Sequence, residues 1–259
     1  MRFFYPRLFI AALLVLALLQ VSAQSNGIDP ALIARANAGD AQSQDQLGQL
    51  YEAGNGVQQD DAKAALWYRR AADQNLASAQ LHLGLLYDRG NGVPQDHARA
   101  ASLYRKAALQ GIPEAQYNLG TMFERGVGVQ QDYAQAADLY RRAAEKGNAA
   151  AQFNLGLLYD NGTGVTKDYA QASSWYTKAA EQGLPRAQFN LGTMYANGQG
   201  VAVDLPEAWF WLALSAKTWS GSHQEEAARA RDLVARHLSE TDLSAMQQRV
   251  QKWLADGRN

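Results

Sequence analysis

The chain has 259 residues, 47% of them apolar, with 24 Lys and Arg against 25 Asp and Glu and a formal charge of −1. That balance describes a folded, helix-compatible protein rather than a disordered one, and without a basic excess it gives no footing for nucleic-acid binding. Cysteine is absent, which excludes a disulfide framework, a thiolate metal site and a lipid-modified cysteine anchor.

The chain opens with Arg2 and Arg7, an apolar run from Leu8 to Leu19, and the small residues Val21-Ser22-Ala23. This is the layout of a secretory signal peptide over residues 1–23. The run is about a dozen residues, too short to cross ~30 Å of hydrocarbon as a helix. An uncleaved anchor is the alternative. Cleavage after Ala23 leaves an exported chain with no membrane span, expected in a bacterial periplasm or released outside. Such a protein lacks disulfides in an oxidising compartment, so packing alone must hold it.

Residues 24–40 predict a capping helix. Asp29 suits an N-cap, Pro30 the first helical position, and the helix runs through Ala38 to a stop at Gly39. From Ala41 onward one unit of 36 residues recurs, starting again at Ala77, Pro113, Ala149 and Pro185. Gly48, Gly84, Gly120, Gly156 and Gly192 keep its register without an insertion. A fixed period in this range predicts a helical solenoid. The repeats are 41–76, 77–112, 113–148, 149–184 and 185–220.

Each repeat predicts two helices. In the fourth, helix A covers Ala149 to Asn161, Gly162-Thr163-Gly164 breaks it, and Asp168 caps helix B. Asp60, Asp96, Asp132 and Asp204 hold the same place. Helix B ends at Gly111, Gly147 or Gly183, and at Asn75 in the first repeat, all compatible with a left-handed C-cap. Glycine within helix A costs roughly 1 kcal/mol against alanine, so its return five times implies close helix approach. The alanine pairs Ala71-Ala72, Ala107-Ala108 and Ala179-Ala180, beside bulky Trp67-Tyr68 or Trp175-Tyr176, are the expected counterpart.

The fifth repeat departs from the pattern. Its helix B begins Leu205-Pro206-Glu207-Ala208-Trp209-Phe210-Trp211 and extends to about Trp219, with Asp204 and Glu207 at capping-box spacing. Ser222 and Glu225 have the same spacing ahead of a helix to about His237. Ser239 precedes a last helix, Glu240 to Ala255, with Leu238 and Leu243 placed as a hydrophobic staple. Residues 221–259 thus read as capping helices that close the stack. The Trp209–Trp211 cluster suits either a core layer or an exposed anchor, and core filling by Trp209, Phe210, Trp211, Trp219 and Trp253 is the expectation.

The segments AQFNLGLLYDNGTGVTKDYAQASSWYTKAAEQG (151–183) and AQYNLGTMFERGVGVQQDYAQAADLYRRAAEKG (115–147) resemble the Sel1-like repeat family, relatives of the tetratricopeptide repeats. The resemblance extends from residue 41 to about 216. It implies an all-α, α/α superhelical solenoid of five helix pairs whose helix A faces line a concave surface. It also implies a non-enzymatic scaffold for protein complexes, often in bacterial envelope assembly, signalling or host interaction. A cysteine-rich subgroup described as β-lactamase lies apart, since this chain has no cysteine. The alternatives are a β-lactamase-like or cell-wall hydrolase and, also by resemblance, an accessory factor in exopolysaccharide export.

At 100° per residue, repeat positions 2, 6, 9 and 13 share one face of helix A. Positions 3, 7, 10 and 11, such as Ala151, Leu155, Leu158 and Tyr159, share the core face. The first set supplies the candidate partner-binding residues: His82, Leu85 and Arg89; Asn118, Thr121 and Arg125; Asn154, Leu157 and Asn161; Arg186, Asn190, Thr193 and Asn197. Asn118, Asn154 and Asn190 form a ladder of amides. They can pair with an extended peptide or instead hold the stack together, and their recurrence favours the second role. His82, Arg89, Arg125 and Arg186 vary between repeats and suit an acidic partner segment. The recurring Gln44, Gln80, Gln116, Gln152 and Gln188 are expected to bond loop backbone.

Signals for catalysis are missing. There is no Ser-x-x-Lys, no G-x-S-x-G and no H-E-x-x-H, and His82, His97, His223 and His237 show no metal-ligand spacing. His97 is expected to face solvent and His237 to sit as a favourable charge at a helix end. Gly-x-Gly loops such as Gly90-Asn91-Gly92 lack the lysine of a phosphate loop and read as turns. No cofactor or metal is called for.

Overall fold

The computed structural model describes residues 27–257. The signal-peptide expectation therefore lies outside the described residues. These fold into thirteen helices and contain no strand, an all-α repeat architecture of consecutive, packed helix pairs. They divide into two compact units between Ala107 and Ala108.

The first unit begins with α1 (Pro30–Asn37), whose N-cap Asp29 accepts a bond from the Ala31 amide. Three full helices follow: α2 (Ala41–Ala53), α3 (Asp61–Asp73) and α4 (Ala77–Arg89). Most of α5 (His97–Leu109) belongs here too. Helices α2 and α3 pack as a pair, and α1 and α4 lie against them. Ile28, Leu32, Ala36 and Leu47 form the core under α1.

The second unit contains α6 (Pro113–Arg125), α7 (Tyr133–Glu145), α8 (Ala149–Asn161), α9 (Tyr169–Glu181), α10 (Pro185–Asn197), α11 (Leu205–Thr218), α12 (Ser222–Ala235) and α13 (Glu240–Ala255). From α6 to α12 each helix packs against the next, and α13 returns to α11. Trp209, Phe210 and Trp211 are buried in the closing core, with Trp253 packed against it. This core excludes the exposed-anchor alternative for the cluster. Trp219 is half-buried, edge-on to Phe189 and stacked on His223.

Local chemistry explains the uniform helix lengths. Asp60, Asp132, Asp168 and Asp204 each accept a bond from a first-turn amide, and Asp96 does so from Arg99. The cap residue's own amide also donates to the helix A carbonyl nine residues back: Asp96 to Tyr87, Asp132 to Phe123 and Asp168 to Tyr159, each at 2.9 Å. That bond closes the loops from helix A to helix B in the same shape. Gly164, at φ +70, lets the fourth loop lie directly on the first turn of α7, where an added Cβ would stand 2.4 Å from Tyr133 backbone.

Three expectations need correction. Of the alanine pair and the bulky residues beside it, the helix A glycine makes room for the bulky tyrosine and not for the alanines. In each of the first four repeats it faces a tyrosine ring of its own helix B: Tyr68, Tyr104, Tyr140 or Tyr176, all fully buried. The flat ring reaches further than alanine and can lie against a bare backbone. In the fifth repeat Gly192 faces Leu212 instead. Next, Ser222 does not cap α12. Gly221, at φ +67, is the N-cap and gives no side-chain bond, because its left-handed backbone makes the turn by itself. Last, Glu207 completes only half a capping box. Its amide bonds Asp204, but its carboxylate holds the Trp211 indole N–H and the Arg249 guanidinium.

Candidate partner-binding face

Position 4 of helix A is settled by hydrogen bonding. Gln44, Gln116, Gln152 and Gln188 are buried and donate to the carbonyls of Ala36, Ala108, Ala144 and Ala180, at 3.0 to 3.2 Å. Those carbonyls belong to the last turn of the preceding helix rather than to a loop, so the expected structural role is met at a different atom. Each of these carbonyls already accepts from the amide of the glycine that ends the helix, Gly39, Gly111, Gly147 or Gly183, and the buried glutamine fills its second lone pair. Gln182 in turn donates to the Gln152 amide oxygen at 2.7 Å. At the equivalent place in the third repeat, Lys146 extends to the Gly111 carbonyl, and the Gln116 amide oxygen is buried without a partner. Position 4 thus ties each of these helices to the helix before it, while Gln80 donates instead to the Asn75 side chain at 2.9 Å.

The face assigned to a partner is partly committed as well. In the second unit the Tyr140 hydroxyl lies 3.1 Å from Thr121 Oγ1, is bonded to the Glu124 carboxylate, and interacts with the Asn154 amide. Tyr176 engages Asn190 and, at 3.3 Å, Asp160. Burial pushes both phenols well above the ordinary tyrosine range, and the neighbouring carboxylates add to that. The structure therefore brings Thr121 and Asn154, from successive repeats, to one tyrosine hydroxyl. An amide side chain has four hydrogen-bonding sites, so Asn154 and Asn190 keep capacity after serving a phenol. Thr193 turns inward to the Asn190 and Phe189 carbonyls of its own helix.

Asn118 and Leu157 are half-buried, and Asn161, Asn197, Arg125 and Arg186 are exposed. Among the described residues, Arg125 and Arg186 make no ion pair.

In the first unit, Leu85 is half-buried and Arg89 exposed. His82 belongs to a network the sequence did not announce. Asp45 is buried, and its carboxylate receives Ser78 Oγ at 2.9 Å, Gln49 Nε2 at 3.1 Å and His82 Nδ1 at 2.8 Å. The His82 ring also tilts against Tyr68, centroids 4.9 Å apart. Elsewhere position 5 holds Leu81, Tyr117, Phe153 or Phe189; an aspartate among them was the signal to notice. Replacing His82 by alanine removes a donor from a buried carboxylate and is expected to destabilise by about 1–3 kcal/mol, read as a lowered denaturant midpoint.

Ser78, His82 and Asp45 share a site, but both Ser78 and His82 bond the carboxylate directly. This is not the serine–histidine–carboxylate relay of a hydrolase. His97, at the first turn of α5, has its side chain 38% exposed and also pairs with Asp88 at 2.8 Å. Among the described residues no group of three or more His, Asp or Glu is placed to hold a metal ion, and no helix is long and apolar enough to cross a membrane.

Comparison with known proteins gives one consistent result. The family described as Sel1 repeat matches residues 41–76, 77–112, 113–148, 149–184 and 185–217. A crystal structure of a Sel1 repeat protein from Oxalobacter formigenes is 39% identical, with a TM-score of 0.65, covering 69% of this chain and 71% of that one. The structure of c5321, a protective antigen of uropathogenic Escherichia coli strains displaying an SLR fold, is 37% identical, with a TM-score of 0.75. It is aligned over 89% of this chain, which spans only 52% of that longer one. No curated protein matches the sequence.

Proposed function

The chain belongs to the Sel1 repeat family, and from that premise we propose that it is a non-enzymatic scaffold that grips a protein segment on its helix A faces. Sel1 repeat proteins generally serve as protein-interaction scaffolds and bind other proteins. The reading for this chain is carried by one observation: Arg125 and Arg186 stand exposed at positions 13 and 2, with no ion pair among the described residues. Around them that face in the second unit carries half-buried Asn118, Thr121, Asn154, Leu157, Asn190 and Thr193 and exposed Asn161 and Asn197. Unpaired guanidinium groups above an amide-lined floor suit an extended, acidic segment, since Arg takes carboxylates in a bidentate fork while amides meet backbone.

Export belongs to the same proposal. The Arg2-to-Ala23 layout favours delivery to the envelope, and the likeness to the c5321 antigen is compatible with an envelope or host-facing role. The hydrolase alternative finds no support in the Asp45 network, whose two possible actors are both spent on the carboxylate.

The test is a double variant, Arg125→Ala with Arg186→Ala. Isothermal calorimetry against the protein recovered by cross-linking in the native envelope should show affinity falling by about tenfold or more, as for loss of charge-assisted bonds. The melting temperature should not move, because both side chains are exposed. Unchanged affinity would remove the arginines, and with them the acidic partner, from the account.

A further inference from the structure

A second binding feature lies in the first unit, away from the residues assigned above. The Tyr87 ring is buried, yet its hydroxyl accepts from two guanidinium groups: Arg69 Nη2 at 2.9 Å and Arg99 Nη1 at 3.4 Å. A phenol oxygen has two lone pairs and one proton. Both lone pairs are taken, and the proton has no acceptor among the described residues. Arg99 also spends Nε on Asp96 at 3.1 Å and leans over the Tyr87 ring. Arg69 makes no ion pair there, and most of its five donors are unspent. The cluster is therefore made of donors, with two positive charges against one carboxylate.

We propose that Arg69, Arg99 and the Tyr87 hydroxyl form a receptor for one oxyanion, supplied either by an acidic side chain of a partner or by a free phosphate or sulfate. An arriving oxyanion accepts from Arg69, from Arg99 and from the phenol proton, satisfying every donor that points there. The local potential agrees. Burial opposes ionising Tyr87, but the hydrogen bonds and charges of Arg99 and Arg69 prevail and bring the phenol below its ordinary range. No carboxylate enters that balance.

The fourth repeat provides an internal comparison. There Arg141 reaches the Tyr159 hydroxyl at 3.3 Å, but Gln171 stands where Arg99 stands in the second repeat. One guanidinium over a phenol is a packing contact; two converging on the same oxygen make an anion site. The proposal does not depend on the helix A face holding a partner, so either can fail alone.

The experiment follows the arginine side-chain N–H signals of the purified protein by NMR. It is titrated with sodium sulfate or with acetylated hexaglutamate, against sodium chloride at matched ionic strength. The expected result is saturable movement of the Arg69 and Arg99 signals with sulfate, peptide or both, and none with chloride. Arg69→Ala should weaken the response by about tenfold. Tyr87→Phe, which keeps the ring as Phe123 does in the third repeat, should weaken it severalfold, and Arg141→Ala should leave it unchanged. Tighter binding of the peptide assigns the site to a partner's acidic side chains, and saturation by sulfate alone assigns it to a small anion. Movement that only follows ionic strength, or an Arg99 response that is unchanged in Arg69→Ala, overturns the proposal.

Discussion

Gly156→Leu is expected to destabilise the second unit by about 3 kcal/mol or more, beyond the usual range for an overpacked core. A Cβ at this position would already stand 2.6 Å from Tyr176 Cε1 and 2.7 Å from Cδ1, closer than carbon atoms can approach. Tyr176 cannot swing aside, because its ring is fully buried and its hydroxyl is held by Asp160 and Asn190. The leucine must push α8 and α9 apart, opening the pair that each unit of the stack depends on. In an array whose repeats touch only their neighbours, the loss should stay local to the fourth repeat and its flanks. Hydrogen exchange should show α8 and α9 opening first. A melting curve superimposable on the parent's would mean the glycine is not there for the ring.

Phe210→Ala should have an effect of similar size, about 3–5 kcal/mol, for a different reason. Phe210 is fully buried. Its ring meets Trp211 at 5.0 Å and Trp253 at 5.8 Å between centroids, with the Arg249 guanidinium 3.8 Å above it. Truncation leaves a void that rigid indoles cannot close, and it removes the floor on which α13 rests. For a chain of this size the melting temperature should fall by roughly 10 °C. Near-ultraviolet dichroism from the tryptophans should collapse before the helical signal does. A small shift would show that α13 re-docks, and that the aromatic layer is less decisive than its burial implies.

The two variants mark what could and could not be seen in the sequence. Helix positions were legible because each boundary has local chemistry that repeats. Asp168 binds first-turn amides, Gly162 and Gly183 take the left-handed backbone, and Pro185 opens a helix whose first amide needs no partner. Helical arithmetic also placed Ala151, Leu155 and Leu158 in the core correctly, whereas Tyr159, expected with them, is half-buried. It could not say which side chain crosses from the facing helix. For that reason Gly156 was matched to the Ala179-Ala180 pair beside Trp175-Tyr176 without singling out Tyr176, the ring that fills the seam. The same limit hid the Asp45 network, which joins residues 33 and 37 positions apart, and the meeting of Arg69 with Tyr87. Faces are encoded at intervals of three and four, whereas contacts between helices depend on reach and tilt. The candidate partner residues lie on this boundary: their placement on one helical face follows from spacing, while the claim of the stack's own tyrosines on Asn154 and Asn190 does not.

The account's central claim is that the helix A faces exist to hold another polypeptide. Its most direct test is photo-cross-linking in native cells, with benzoylphenylalanine placed singly at Arg125 or Asn161 on that face and at Arg142 or Ser174 on helix B. All four positions are exposed, so reactivity reports what is bound rather than what is accessible. The prediction is one discrete adduct from Arg125 and Asn161, with none from Arg142 or Ser174. Adducts from the helix B positions alone, or equal labelling of both faces, would contradict it.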